Sequence, residues 1–308
     1  MMSDFSTAFT NADIILADGG IETRILYETH IPLVSEIEVA GLLFTDQGKQ
    51  ALANIYNSYL DVSQQYQLPM ILGTPTFRAN PHRVTASHRH LNAVIREGVD
   101  FLVALKKQRS LSPPIFIAGV TGPKNDAFEP TQALSAYAAK TYHHAQIAAF
   151  TQTHIDFLFA PTLPAVSEAL GLAQAMAETS FPFVISFVLN REGKILDGHS
   201  LDEAIEFIDQ RVSPQPLYYS LSCIHPTIAM TALKKVRHIH RILEIKANAS
   251  RKSTTELMKL NHLDKGNPSE FAQEMQQIHR QFGVKVLGGC CGTDQEHIKA
   301  LAHLLISV

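Results

Sequence analysis

The chain holds three cysteines, Cys223, Cys290 and Cys291, and cysteine thiolates are soft ligands suited to zinc. Three protein ligands with an open fourth position describe a metal centre that can act on a substrate. Cys290 and Cys291 are adjacent, and a regular strand would send their side chains to opposite faces. Gly288, Gly289 and Gly292 flank the pair and let the backbone turn sharply enough for both thiols to reach one ion. A vicinal disulfide is the competing chemistry, but such a bond is strained and no C-x-x-C motif accompanies the pair. His225, two residues after Cys223, offers an imidazole as a fourth ligand when substrate is absent. The remaining histidines, among them His88, His90, His143, His144, His238 and His240, form no H-E-x-x-H signature and read as helix-surface residues.

Something must carry these thiols to one place. Short apolar runs rich in Val, Ile and Phe alternate with longer segments of helical period. The strand candidates are 14–20, 69–77, 114–122, 156–163, 181–188, 216–223, 241–248 and 284–291. Several are apolar on both faces, as parallel strands beneath helices must be. Between them, Leu201, Ala204, Ile205 and Ile208 share a helical face, with Ser200 and Glu203 as a capping box. Phe271, Met275, Ile278 and Phe282 form a second stripe, and Thr293 with Glu296 would cap a last helix carrying Ile298, Leu301 and Leu305. Eight βα units in 308 residues predict a (β/α)8 barrel, an α/β fold, as a single domain over residues 1–308. An open doubly wound sheet is disfavoured because no G-x-G-x-x-G follows the first strand. The stretch 21–45 lacks clear periodicity and is expected to decorate the barrel mouth.

In a parallel barrel chemistry sits at the carboxyl ends of the strands. Asp18, Thr74, Thr76, Thr121, Thr162, Cys223, Asn248, Cys290 and Cys291 all fall there. All three cysteines share that rim. Inert core cysteines are common, but three at one end of one barrel argue for a shared task.

Composition narrows the setting. Hydrophobic residues make up 45% and charged residues 18%, with a net charge of -3, which excludes a general nucleic-acid binder and a disordered chain. Three cysteines cannot build a disulfide framework, so a reducing compartment is expected. The opening MMSDFSTAFT does not read as a signal peptide, and no run approaches the roughly 20 apolar residues of a membrane span. The expectation is a soluble cytoplasmic protein; nothing in the sequence specifies an oligomeric state.

Nearly end to end, the sequence resembles the homocysteine S-methyltransferase family. The resemblance runs through Asp18-Gly19-Gly20, Thr74-Pro75-Thr76-Phe77, Gly122-Pro123, Thr162, Pro164, Glu168-Ala169, Gly198, Ser200, Cys223, Pro226 and Asn248. Its most specific block is Gly288-Gly289-Cys290-Cys291-Gly292-Thr293, followed by His297-Ile298. The family's zinc ligands match Cys223, Cys290 and Cys291, and Asp18, Thr76, Thr162 and Asn248 are the candidate substrate-binding residues. The resemblance implies a Zn2+ cofactor, a small-molecule thiol acceptor with homocysteine foremost, and methionine as product. Free thiols have pKa values near ~8.5, so metal coordination raises the population of reactive thiolate by about 2 kcal/mol. A chain this short has no room for folate and cobalamin modules and resembles the compact members, which take S-methylmethionine or S-adenosylmethionine. Phe77, Tyr27 or Phe128 would face such a sulfonium cation.

Three positions depart from the family pattern. The usual Glu-Thr after strand four, whose glutamate binds the homocysteine amino group, is Pro161-Thr162 here. Thr-Asn-Thr becomes Thr74-Pro75-Thr76, and Asn-Cys becomes Ser222-Cys223. Glu22 or Glu168 would have to supply the missing carboxylate, or the acceptor is a different thiol. The alternative is a zinc-binding barrel that acts on another thiol, or a non-catalytic thiol-binding protein.

Overall fold

A computed structural model describes residues 4–109, 113–252, 254–257 and 259–307. The apolar runs become eight strands: β1 (Ile15–Ala17), β2 (Met70–Gly73), β3 (Ile115–Val120), β4 (Phe157–Leu163), β5 (Phe183–Phe187), β6 (Tyr218–Ile224), β7 (Ile242–Ala247) and β8 (Val286–Gly289). Each pairs in parallel with the next, and β8 returns to β1 through Ile15↔Val286 and Leu16↔Leu287. The result is a closed (β/α)8 barrel, as the sequence predicts. β1, β3, β4 and β5 are buried along their whole length, because helices cover the outside while side chains fill the inside. Several strands stop short of their predicted carboxyl ends. The ladder gives way there to turns such as Thr74–Phe77, where Thr76 N bonds Thr74 O at 2.8 Å.

The helices follow their patterns with informative exceptions. The helix Leu201–Asp209 starts at a complete Ser200–Glu203 capping box and buries Leu201, Ala204, Ile205 and Ile208. The helix Pro268–Phe282 buries Phe271, Met275 and Ile278. The last helix, Gln295–Ile306, is capped by Asp294 with His297 rather than by Thr293 with Glu296. The Thr293 hydroxyl is already committed, donating to Cys290 O at 2.8 Å and accepting from Gly20 N at 3.1 Å. The stretch 21–45 is more regular than its pattern suggests. It contains α2 (Ile21–Glu28) and a 3-10 helix Val39–Phe44. Ile21, Arg24 and Ile25 form the buried face of α2, with Arg24 satisfied by Glu28 at 2.9 Å and Ser58 at 3.0 Å.

Upstream of β1, α1 (Asp4–Asn11) closes the base of the barrel. Phe5 stacks on Phe157 with centroids 4.1 Å apart and meets Phe116 edge-on, while Phe9 stacks on Tyr218 at 4.7 Å. Among the described residues no helix is long and apolar enough to cross a membrane.

Candidate metal and substrate site

Two irregularities in the barrel aim the first thiol. The β6–β7 ladder shifts register between Ser222 and Ile224, and Cys223 there has φ 55. The β4–β5 ladder shifts between Ala160 and Leu163, and Thr162 there has φ 59. Positive φ is rare for non-glycine residues and rarer for a β-branched one, and bulges re-aim side chains. Ser222 and Cys223, consecutive residues that alternation would send to opposite faces, therefore both line the mouth, as do Pro161 and Thr162. The Thr162 hydroxyl donates to Cys223 Sγ at 3.6 Å, and its amide donates to Ser222 Oγ at 2.9 Å.

The second pair of thiols depends on the turn their glycines allow. β8 ends at Gly289, and Cys290 N still donates to Ala247 O at 2.7 Å. Beyond it the chain turns back, with Thr293 N on Cys290 O at 3.2 Å and Gly292 at φ 80. A side chain at Gly289 would collide with Thr293. Asn248 Oδ1 accepts from Cys291 N at 3.1 Å, fixing the outer half of the turn. The sulfurs of Cys223, Cys290 and Cys291 all lie within 4.8 Å of one another.

Electrostatics within this cluster are lopsided. Cys223 is held well below the ordinary thiol range because Cys290, Cys291 and Thr162 donate hydrogen bonds to it, while Cys290 and Cys291 are pushed up by that neighbouring thiolate. Three thiols this close cannot all ionise cheaply without a cation between them. Tetrahedral zinc with Zn–S near 2.3 Å needs sulfurs about 3.8 Å apart, which lies within the spread of this cluster. All three cysteines border the cavity, so an open coordination position would face it. The residues present therefore fit zinc. His225 stands apart from the cluster: Nδ1 accepts from Thr227 N at 3.3 Å, and Nε2 faces Glu274 at 3.6 Å. Burial pushes its imidazole down to about 4.

The cavity has a volume of about 250 Å³. Ile71, Val120, Phe159 and Pro161 give it an apolar wall, and Phe77 and Phe128 add aromatic faces. Tyr27 is 44% exposed and is not among the lining residues. Asp18, Glu244 and Lys246 supply charged lining. Asp18 ties three strand ends together: Oδ2 accepts from Gly73 N at 2.8 Å, and Oδ1 pairs with Lys246, whose Nζ also reaches Asp18 O at 3.2 Å. Burial opposes the Lys246 charge, but Asp18 outweighs it and holds the ammonium above its usual range. Burial pushes Glu244 up to about 7.

Of the candidate substrate residues, Asp18 and Thr162 line the cavity, whereas Thr76 and Asn248 do not. The Thr76 hydroxyl donates to Val120 O at 2.8 Å and lies 2.7 Å from Thr74 Oγ1. Glu22 lines the cavity. Glu168 does not: it accepts from Lys124 N at 2.9 Å and Leu134 N at 3.2 Å, and pairs with His143 at 3.0 Å. His143 is accordingly buried, not the helix-surface residue its sequence context suggests. The Ser222 hydroxyl faces Ser186 at 2.8 Å and Thr162 at 3.1 Å, so it is occupied within the wall. Sequence reasoning passed over Glu244 and Lys246. Their signal was two charges spaced i, i+2 in a strand otherwise apolar, which places both on one face.

Comparison with known proteins agrees with this architecture. By sequence, no curated protein matches the chain. Among solved structures it is similar to the homocysteine methyltransferase MmuM from Escherichia coli. For the metallated form the TM-score is 0.77 at 19% identity, covering 97% of this chain and 98% of that one. For the oxidized form it is 0.78 at 19% identity, covering 96% and 97%. At that identity the likeness speaks for the fold. The sequence profile described as homocysteine S-methyltransferase matches residues 15–305, from the first residue of β1 to the penultimate residue of the last helix. With the match spanning every strand and all three cysteines, the chain belongs to the homocysteine S-methyltransferase family.

Proposed function

We propose that this S-methyltransferase moves a methyl group from a sulfonium donor, S-methylmethionine or S-adenosylmethionine, to the thiolate of homocysteine, giving methionine. The observation that carries the reading is the Cys223–Cys290–Cys291 cluster, three sulfurs within 4.8 Å of one another at the border of the cavity. Zinc held by these three thiolates would keep the acceptor thiol ionised at neutral pH.

The chain's own residues supply the rest. Thr162 donates to Cys223 Sγ, which orients that sulfur, and Asn248 holds the Cys291 amide. The Asp18–Lys246 pair locks the ends of β1 and β7 beside the cluster. Ile71, Val120, Phe159 and Pro161 keep water from that wall, and a drier site strengthens attraction between thiolate and sulfonium. Phe77 and Phe128 line the cavity and would offer rings to a cationic donor. In the transfer one C–S bond forms at the acceptor and one breaks at the donor. The donor leaves as a neutral thioether, so the step calls for no general acid or base. A cluster of free thiols suits a reducing compartment, and the cytoplasm is the proposed setting.

The test is metal content measured beside methyl transfer on one purified sample, using homocysteine with each donor and Cys290→Ala as control. One zinc per chain and cysteine-dependent methionine formation are expected. Zinc without turnover on either donor would refute the proposed reaction and turn attention to another thiol or a binding role.

A further inference from the structure

Of the carboxylates around the cavity, Glu22 and Glu244 stand in no ion pair among the described residues, and Glu22 is the one beside the cysteine turn. Asp18 is paired with Lys246. Glu38 lies 3.6 Å from Arg78 and 3.8 Å from Arg83. Glu244 shares its strand face with Lys246 and feels that charge. Glu22 has no basic partner among the described residues. Burial pushes its carboxyl up to about 7, and the acidic groups of Cys290, Asp18 and Glu38 add to the push.

Its position is fixed by the cysteine turn itself. Gly20 N bonds the Thr293 hydroxyl at 3.1 Å, and Thr23 Oγ1 accepts from Gly292 N at 3.2 Å. A Cβ on Gly20 would press on Cys290 O. The first turn of α2 is therefore seated on the loop that carries two of the three thiols, and Glu22 lies between these anchors. Glu168, the other carboxylate that the sequence offers, is spent on His143, Lys124 N and Leu134 N.

Taking methyl transfer to a thiol as the reaction, we infer that Glu22 is the specificity-determining residue for the acceptor's amino group. Its carboxylate receives the α-ammonium while the thiol stands at the Cys223–Cys290–Cys291 cluster. An ammonium supplies both the missing charge and N–H donors, whereas a sulfonium supplies charge alone. The acidic residue for the ammonium then comes from the helix after β1, and Pro161 on β4 is left as apolar wall.

The experiment reads binding, so it does not depend on turnover. Zinc-loaded protein is titrated with homocysteine and with 4-mercaptobutyrate, which has the same thiol and carboxylate but no amino group. Wild type is expected to prefer homocysteine by about 10- to 150-fold, the range for a charge-assisted hydrogen bond. Glu22→Gln should lose most of that preference while keeping zinc stoichiometry and affinity for 4-mercaptobutyrate. Glu22→Asp, which keeps the charge on a shorter arm, should retain part of it. Glu38→Gln should leave it intact, because Glu38 already answers Arg78 and Arg83. A wild type without preference, or a Glu22→Gln variant that keeps it, would overturn the assignment. So would an effect confined to binding of the sulfonium donor. Selective binding through Glu22 in a protein that transfers no methyl group would instead refute the reaction and leave the assignment standing.

Discussion

At the base of the barrel, Phe5 and Phe9 lie on Phe116, Phe157 and Tyr218, all at least nine-tenths buried. Such contacts gain from apolar area removed from water and from ring geometry. The mouth is different: Thr162 and Cys223 sit at positive φ, Asp18 and Lys246 are a buried ion pair, and three thiols crowd together. Strained backbone of this kind costs on the order of 1–3 kcal/mol per residue. Stability is concentrated at one end of the same eight strands and given up at the other, where groups must be held ready for a ligand.

Five substitutions probe that division. Cys290→Ala is expected to lower turnover by about three orders of magnitude, the several kcal/mol that a metal-held nucleophile supplies. Zinc content should fall with it, while the melting behaviour of metal-free protein stays near wild type. A large loss of metal-free stability would show that the mouth carries the fold as well. Lys246→Met should destabilise by about 3–5 kcal/mol, because Asp18 is left buried and unpaired. Adding Asp18→Asn should restore much of it, as denaturant titration of the double variant would reveal.

Phe5→Ala should cost about 3 kcal/mol in the same titration, with zinc stoichiometry and turnover per folded molecule unchanged. A fall in turnover would mean that the two ends are coupled. The smallest effect concerns Glu244, whose carboxyl is raised to about 7 in the folded chain. The folded state then binds more protons than the unfolded state between the two pKa values, so stability should decline as pH rises from about 4.5 to about 7 and stay lower above. The decline amounts to at most about 3 kcal/mol, and Glu244→Gln should flatten it.

The eight strands were legible because runs such as FVISF in β5 and IFIAGV in β3 are apolar on both faces. The cysteines were legible because their residue type is rare in this chain and all three fall at strand ends. What stayed hidden depended on distant partners. Lys246 reads as an interruption of an apolar strand until Asp18, 228 positions away, is seen beside it. His143 reads as a surface residue until Glu168 is found against it. The last helix begins one residue later than its Thr293–Glu296 pattern suggests, since Thr293 is bound to Cys290 O. The two bulges have no local signature at all: Thr162 and Cys223 are ordinary strand residues by propensity.

The aromatic stopper also bears on the order in which the molecule can assemble. α1 precedes all its partners in the chain, yet its two rings rest on residues of β3, β4 and β6. β1, which follows it, hydrogen-bonds both β2 and β8. During synthesis these early residues have nowhere to settle until the later strands have emerged and the ring has shut. Contacts this remote in sequence are slow to form and leave apolar surface open meanwhile. Phe5 and Phe9 therefore act as a latch, made before every residue they rest on and among the last to find their seat.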